Sequence, residues 1–457
     1  MDSERKLILN ENLRKLLFKF SIPAITGLVF SALYNVIDTL YVGHGVGPIA
    51  IAGLAIVLPM QILMFAVGYM IGTGSASIIS RSLGAKNREK AALTAGNALI
   101  LNIIVSILLM IICYFFMDKL LLFFGASKDV LPYSRDYLSI IIFGFIFYSF
   151  DVLGNNLIRS EGRPRAAMYA LILGAVLNII LDPIFIFVFK MGVKGAALAT
   201  IISQIINMIY ILTYFNLSKS VFRFNLKMFK PRLKLIWEIL KIGFPSFLMS
   251  IVDSVIFILF NRSIMQYGSD MYIAIMGIAI RVMDITIMPI IGIAQAFSTI
   301  TGFNFGAKNY TRVKEVLKEA VIWTTIISAL SFILIFGFPG FLLRIFSSDK
   351  SMIDIGILPI RIVSLFFITL GVQIVGGTFF QAIGKAVPAL ILNISRQVIF
   401  LIPAIIILPL FMGLNGVWFS MPLSDILSTI MTVIFIFYEL KIIRRLQLGA
   451  ELQTEIN

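Results

Sequence analysis

The sequence predicts an all-α membrane protein with twelve transmembrane helices. The chain is 59% hydrophobic and only 13% charged, whereas soluble domains are close to half apolar and about a quarter charged. Its apolar runs reach the length of about 20 residues that a helix needs to cross a bilayer. The runs are continuous rather than alternating, which indicates helices and not barrel strands. They lie near residues 16–40, 49–73, 92–117, 131–158, 166–189, 195–216, 236–262, 271–296, 316–343, 356–381, 388–411 and 417–441.

The chain contains one six-helix pattern twice. The sequence Gly-Ala-Lys-Asn at residues 84–87 recurs at 306–309, and Ile22-Pro23 and Phe244-Pro245 are separated by the same offset of 222. Residues 191–195 later match residues 412–416 at an offset of 221. Because the offset holds through polar loops as well as apolar helices, we interpret the matching segments as an internal repeat.

Each half has an even number of predicted helices, so the two halves have the same topology and are parallel repeats. The longest and most basic loop, residues 216–235, separates them. We therefore predict two lobes, residues 1–222 and 223–457, that form two six-helix bundles around a central cavity. Rocking of one bundle against the other would open the cavity to each side in turn, which favours a transporter.

The positive charge of the chain is concentrated on one side of the predicted membrane. The formal net charge is +15, and most Lys and Arg residues fall in the loops on the side of the N-terminus. This bias predicts a multi-pass protein of the plasma (inner) membrane with both termini in the cytoplasm. It also argues against a nucleic-acid partner, because the basic residues form loop segments and no basic patch. Membrane lipid and small molecules are the expected partners, and the chain is predicted to be a monomer.

Enzymatic chemistry is not indicated. Cys113 is the only cysteine, which excludes intramolecular disulfides and cysteine-based metal sites. The sequence contains no nucleophile–base pair and no metal-ligand constellation. We therefore predict no catalytic residues and no cofactor.

Acidic residues inside the predicted helices are the candidates for function, because a charge in a bilayer is costly and is retained for a reason. Two of them, Asp38 and Asp182, lie at a similar depth, roughly 7–12 Å below the outer boundary at 1.5 Å per residue. Asn178 precedes Asp182 by one helical turn. The predicted helix that contains Thr200 re-enters the membrane from outside and places Thr200 at the same depth. Pro183 also frees carbonyl oxygens near the acid, because proline lacks an N–H group.

This group predicts a cation-coupling site in the first half of the chain. Two close carboxylates would hold a proton, whereas neutral oxygens beside a carboxylate also suit Na⁺, so the coupling ion is H⁺ or Na⁺. The alternative is that Asp38 and Asp182 only form hydrogen bonds with neighbouring helices. The second half lacks the pair, since Phe260 corresponds to Asp38, and Pro403 and Ala404 lie opposite Asp182.

The other acids divide into structural and cavity candidates. Asp253, and Asp151 with Asn155 four residues later, could each contact a substrate or form a structural hydrogen bond. Arg281 and Asp284, three residues apart, are predicted to form an intrahelical ion pair. Asp425 is predicted to be structural.

Several stretches resemble the multidrug and toxic compound extrusion (MATE) family of secondary antiporters. They are residues 22–23, 34–38, 80–86, 156–162, 178–183, 192–200, 288–289, 292–295, 302–309 and 395–397. The resemblance covers nearly the whole chain and is closest to the bacterial and archaeal branch with a cation site in the N-terminal lobe. It implies a site of Asp38, Asn178, Asp182 and Thr200, with Tyr137 as a weaker match. Gln295 lies in a resembling stretch and joins the cavity candidates. Another bacterial branch has an acid in the tenth helix, where this chain has only Gln373 and Gln381.

The resemblance implies export of cationic amphipathic drugs in exchange for H⁺ or Na⁺ by rocker-switch alternating access. The alternative is a flippase for a lipid-linked precursor within the same superfamily. A flippase would need a cationic cavity for pyrophosphate, so intramembrane Arg should outnumber Asp. Here only Arg281 and Arg396 stand against six intramembrane acids, which favours the drug exporter.

Overall fold

The computed structural model describes residues 2–217, 220, 222, 226–346 and 349–456. Twelve helices in these ranges are long and apolar enough to cross a membrane, which confirms the predicted all-α, twelve-helix fold. They are α1 Leu13–Gly45, α2 Ile49–Gly84, α3 Arg88–Phe115, α4 Leu131–Ser160, α5 Pro164–Val188, α6 Val193–Asn216, α7 Leu233–Tyr267, α8 Met271–Gly306, α9 Tyr310–Gly337, α10 Lys350–Ala382, α11 Ala386–Met412 and α12 Leu414–Leu448. Short helices lie outside these twelve at Asp2–Asn10, Met117–Phe123, Leu226–Phe229 and Pro339–Phe346.

The repeated Gly-Ala-Lys-Asn motif forms the same turn in both halves. Asn87 caps α3 by accepting a hydrogen bond from the backbone N–H of Lys90 at 2.9 Å, and Asn309 caps α9 by accepting from Arg312 at 3.3 Å. The preceding Lys86 and Lys308 have φ values of 62° and 59°, a left-handed conformation that reverses the chain. The motif is therefore a structural turn.

Packing divides the chain into two compact units. The first unit comprises Met1–Asn10 and Ile22–Ser250, and the second comprises Glu11–Ser21 and Ile251–Asn457. The boundaries after Ser21 and Ser250 fall inside membrane helices, so α1 and α7 each contribute to both units. These packing units differ from the lobes 1–222 and 223–457, which follow the sequence repeat and stay a prediction.

Local contacts explain why each helix is shared. The start of α1 packs in the second unit, where the rings of Phe18 and Trp323 lie 4.6 Å apart. The first half of α7 packs in the first unit, where Glu238 forms ion pairs of 3.6 Å with Arg81 and 3.5 Å with Lys90.

Two helices contain a wider π-helical turn. In α5 this segment, Ile184–Val188, follows Pro183 directly, because proline cannot donate the hydrogen bond that would continue the α-helix. In α11 the segment is Ser395–Leu401. π-Helical turns are frequent at functional sites, and in both units polar side chains lie on or beside them.

All six membrane helices α1 to α6 contribute to one buried apolar cluster. Its members include Val42 of α1, Met64 of α2, Tyr137 of α4, Ile186 of α5 and Ile201 of α6. The cluster fixes these helices side by side, and the polar side chains described next lie next to it.

Candidate functional site

The carboxyl groups of Asp38 and Asp182 meet in the first unit. The two groups interact electrostatically, although one comes from α1 and the other from α5. Asp182 is fully buried, and Asp38 is partly buried. Two interacting carboxyl groups favour retention of a proton on one of them, because two negative charges at close range repel each other.

Asn178 connects this pair to α6. Its amide Nδ2 lies 3.3 Å from Asp182 Oδ1 and 3.3 Å from Thr200 Oγ1. The first contact follows from the i, i+4 spacing on α5. Thr200 in turn donates its hydroxyl to the carbonyl oxygen of Ala196 at 3.0 Å. The four residues predicted to form the coupling site therefore lie together.

Tyr137 completes the group from α4. Its side chain is buried and interacts with Asp38, Asp182 and Thr200. Its hydroxyl also accepts a hydrogen bond of 3.3 Å from Nε2 of Gln61 on α2. Sequence reasoning missed Gln61, and the available signal was a single amide inside an otherwise apolar run.

The site is rich in acceptors that lack donors. Asp38 Oδ1, Asn178 Oδ1 and Asp182 Oδ2 are buried and have no hydrogen-bond donor among the described residues. A buried acceptor without a donor costs about 1–3 kcal/mol. Two carboxyl groups, an amide oxygen and a hydroxyl are ligands that fit either protons or a small hard cation such as Na⁺.

Two further candidates lie in the first unit, in different environments. Asn155 is buried and donates to the carbonyl oxygen of Ala167 at 2.8 Å, so it joins α4 to α5. Asp151 lies one turn earlier on α4 and interacts with Asn207 of α6. Its Oδ1 has no donor among the described residues.

The second unit contains its own polar network. Asp253 of α7 accepts a hydrogen bond from the amide of Gln397 on α11. The neighbouring Arg396 forms an ion pair of 2.6 Å with buried Asp425 of α12, as expected for a structural acid. Gln295 is partly buried on α8.

The predicted Arg281–Asp284 ion pair is wrong, since no such pair occurs among the described residues. Both side chains are exposed, and an exposed pair would gain little energy.

Twelve membrane helices in two sequence repeats, with a buried acidic group in one unit, define a membrane transporter and not an enzyme. The family model MatE matches the chain twice, over residues 23–184 and 245–407. The chain belongs to the MatE family of transporters. The double match also confirms the predicted internal repeat.

Relatives and solved structures agree with this assignment. Multidrug export protein MepA of Staphylococcus aureus (strain MRSA252) is 27% identical over 425 residues, or 93% of each chain. MepA of Staphylococcus haemolyticus (strain JCSC1435) is 28% identical over 429 residues, covering 93% of this chain and 94% of the relative. A crystal structure of MATE in the bent conformation has a TM-score of 0.91 at 26% identity, covering 96% of this chain and 98% of that chain. A MOP superfamily transporter from Pyrococcus furiosus Vc1 (DSM3638) has a TM-score of 0.90 at 26% identity, with the same coverage.

Proposed function

We propose that this protein is a secondary active multidrug exporter that exchanges cationic amphipathic compounds for H⁺ or Na⁺. Family membership and the similarity to proteins named multidrug export protein support the transport of drugs. The contact between Asp38 and Asp182, with Asn178 and Thr200 beside it, is the observation that supports ion coupling.

Coupling would work through the interaction between the two carboxyl groups. A second proton, or a Na⁺ ion in place of the shared proton, changes the interaction between α1 and α5. Pro23 in α1 and Pro183 in α5 are places where these helices can bend at low cost, because each lacks a backbone donor. Ion occupancy would therefore change how α1 packs. The new packing would favour opening of the cavity to one side of the membrane over the other, as in a rocker switch.

The polar network of the second unit gives the flippase alternative no support. The guanidinium of Arg396 is paired with Asp425 at 2.6 Å, so its charge is neutralised within the unit. A pyrophosphate group would need several free cationic groups, and Arg396 is not one of them.

Transport in proteoliposomes tests the proposal. The purified protein is reconstituted, and efflux of ethidium is measured under a proton gradient alone, under a sodium gradient alone and with neither. We expect uphill movement of ethidium with one of the two gradients and none without them. Equal movement under all three conditions would show that neither ion drives transport.

A further inference from the structure

A second group of unpartnered acceptors lies deeper in the first unit. Thr200, Gln204 and Asn207 follow one another at i, i+4 and i+7, so they share one face of α6. Asp151 faces Asn207 from α4. Gln204 Oε1, Asn207 Oδ1 and Asp151 Oδ1 are all buried, without a donor among the described residues. Asn207 itself is only 5% exposed.

This group is separate from the coupling site. Asn207 lies seven residues beyond Thr200, or about 10 Å along the helix. Gln204 packs against α4 at Gly144, where its Oε1 would lie 3.1 Å from an added Cβ atom. The deeper group therefore lies between α4 and α6, one to two turns beyond Thr200 on α6 and about four turns beyond Tyr137 on α4.

Two tyrosines lie near the acid of this group. The carboxyl group of Asp151 interacts with the side chains of Tyr148 and Tyr34. The rings of Tyr148 and Phe65 lie 6.5 Å apart, and Phe65 stacks on Tyr69 at 5.3 Å. A carboxylate beside aromatic rings is a favourable environment for an organic cation, which is attracted to the ring faces as well as to the acid.

The internal repeat provides a comparison within the same chain. At the repeat offsets, Asp151 corresponds to Gln373, Gln204 to Asp425 and Asn207 to Ser428. In the second unit these groups have partners. Gln373 Nε2 donates to the carbonyl oxygen of Asp425 at 2.9 Å, and Gln373 Oε1 accepts from Ser428 at 3.3 Å.

One residue supplies the missing charge in the second unit. Arg396 pairs with Asp425 at 2.6 Å, and at the offset of 222 it corresponds to Gly174 in the first unit. A Cβ atom at Gly174 would lie 3.7 Å from the Asn207 amide, so this position faces the group but has no side chain. Arg159, a cation lower on α4, donates instead to Asn156 Oδ1 at 2.9 Å. The first unit thus has acceptors where the second has acceptors and a guanidinium.

We propose that Asp151, Gln204 and Asn207 bind the protonated amine of an exported compound, which takes the place that the Arg396 guanidinium has in the second unit. The three acceptors match an ammonium group, which is charged and donates up to three hydrogen bonds. The aromatic rings contact its apolar part. This inference rests on the proposed export of cationic compounds and names the residues that recognise their charge.

Equilibrium binding to purified protein tests the inference without requiring transport. Three fluorescent probes are compared: dansylcadaverine, which has a primary ammonium, its N-trimethyl derivative, which has the charge but no donors, and its N-acetyl derivative, which is neutral. For the wild-type protein we expect the primary ammonium to bind most tightly and the neutral probe most weakly.

Two variants remove the site by different means. Asp151→Asn removes the charge, and we expect the Kd for the primary ammonium to rise about 10- to 100-fold, the range for losing a charged hydrogen bond. Gly174→Arg adds an internal guanidinium, and we expect it to block the same probe. Gly174→Ala and the exposed loop variant Asp129→Asn are the matched controls and should bind like wild type. Thermal melting verifies that each variant is folded.

The outcomes separate this inference from the proposed function. An unchanged Kd for the primary ammonium in folded Asp151→Asn would overturn the inference, as would an equal loss for the neutral probe, which indicates a structural role. Loss of Na⁺ binding in Asp151→Asn with unchanged amine binding would also overturn it, in favour of a second ion site. If wild-type protein binds amines in this way but moves none under either gradient, the proposed function fails and the binding site remains.

Discussion

The carboxyl groups of Asp38 and Asp182 interact with each other, although 143 residues separate them in the chain. The contact places two acids from α1 and α5 in one buried position. We propose that protonation of this pair affects how the two helices pack.

Removing either acid should uncouple transport. In Asp38→Asn and Asp182→Asn, we expect gradient-driven ethidium efflux to fall to the level of empty liposomes, because neither variant retains two ionisable groups. The Kd for dansylcadaverine should change by less than about threefold, since the amine group is proposed to bind about 10 Å away. Export at the wild-type rate by either variant would refute the coupling mechanism.

Asn178 should tune the affinity of the coupling site. Asn178→Ala removes the amide that contacts both Asp182 and Thr200. We expect the concentration of coupling ion for half-maximal transport to rise about tenfold, the lower end of the effects seen for groups that orient ion ligands. Asn216→Ala is the control, because Asn216 is exposed and bonds only within its own helix. Equal effects of the two substitutions would contradict this role.

The ion pair between Arg396 and Asp425 should matter for folding of the second unit. Arg396→Ala leaves the buried Asp425 carboxylate unpaired, at a cost of about 3–5 kcal/mol. We expect a clear drop in melting temperature in detergent and a recovery in the double variant Arg396→Ala/Asp425→Ala. A double variant as unstable as Arg396→Ala would show that the charge pairing is not the cause.

Gly74 and Gly243 let α2 and α7 approach each other closely in the first unit. A Cβ atom on Gly74 would overlap the backbone oxygen of Ile239, and one on Gly243 would overlap that of Met70. We expect Gly74→Ala and Gly243→Ala to lower the melting temperature and the yield, because backbone atoms cannot move aside cheaply. Gly277→Ala is the control, with open space around it, and should be neutral or slightly stabilising. Wild-type melting of all three variants would be inconsistent with this packing.

Cysteine labelling can test the predicted topology. The single natural cysteine, Cys113, is buried, so introduced cysteines give the main signal. In intact cells, we expect a membrane-impermeant maleimide to label Asp129→Cys, in a loop predicted to be outside. Glu89→Cys, at the opposite end of α3, should be labelled only after the membrane is opened. The reverse pattern would invert the predicted orientation.

The sequence determined the fold class and named most residues of the proposed coupling site. Apolar runs of spanning length define helices directly, because a bilayer leaves the backbone few other ways to satisfy its hydrogen bonds. The loop repeat predicted the duplication. Asp182 and Asn178 were recognisable as a group because a helix brings residues four apart to one face.

The tertiary structure decided which residues from different helices meet. The contacts of Gln61 with Tyr137 and of Asn207 with Asp151 depend on how α2, α4 and α6 are rotated and packed, which helical periodicity does not specify. The structure also assigned the start of α1 and the first half of α7 to units other than those of their own repeats. The physical reason is that spacing along one helix fixes only contacts within that helix, whereas contacts between helices depend on the packing of the whole bundle.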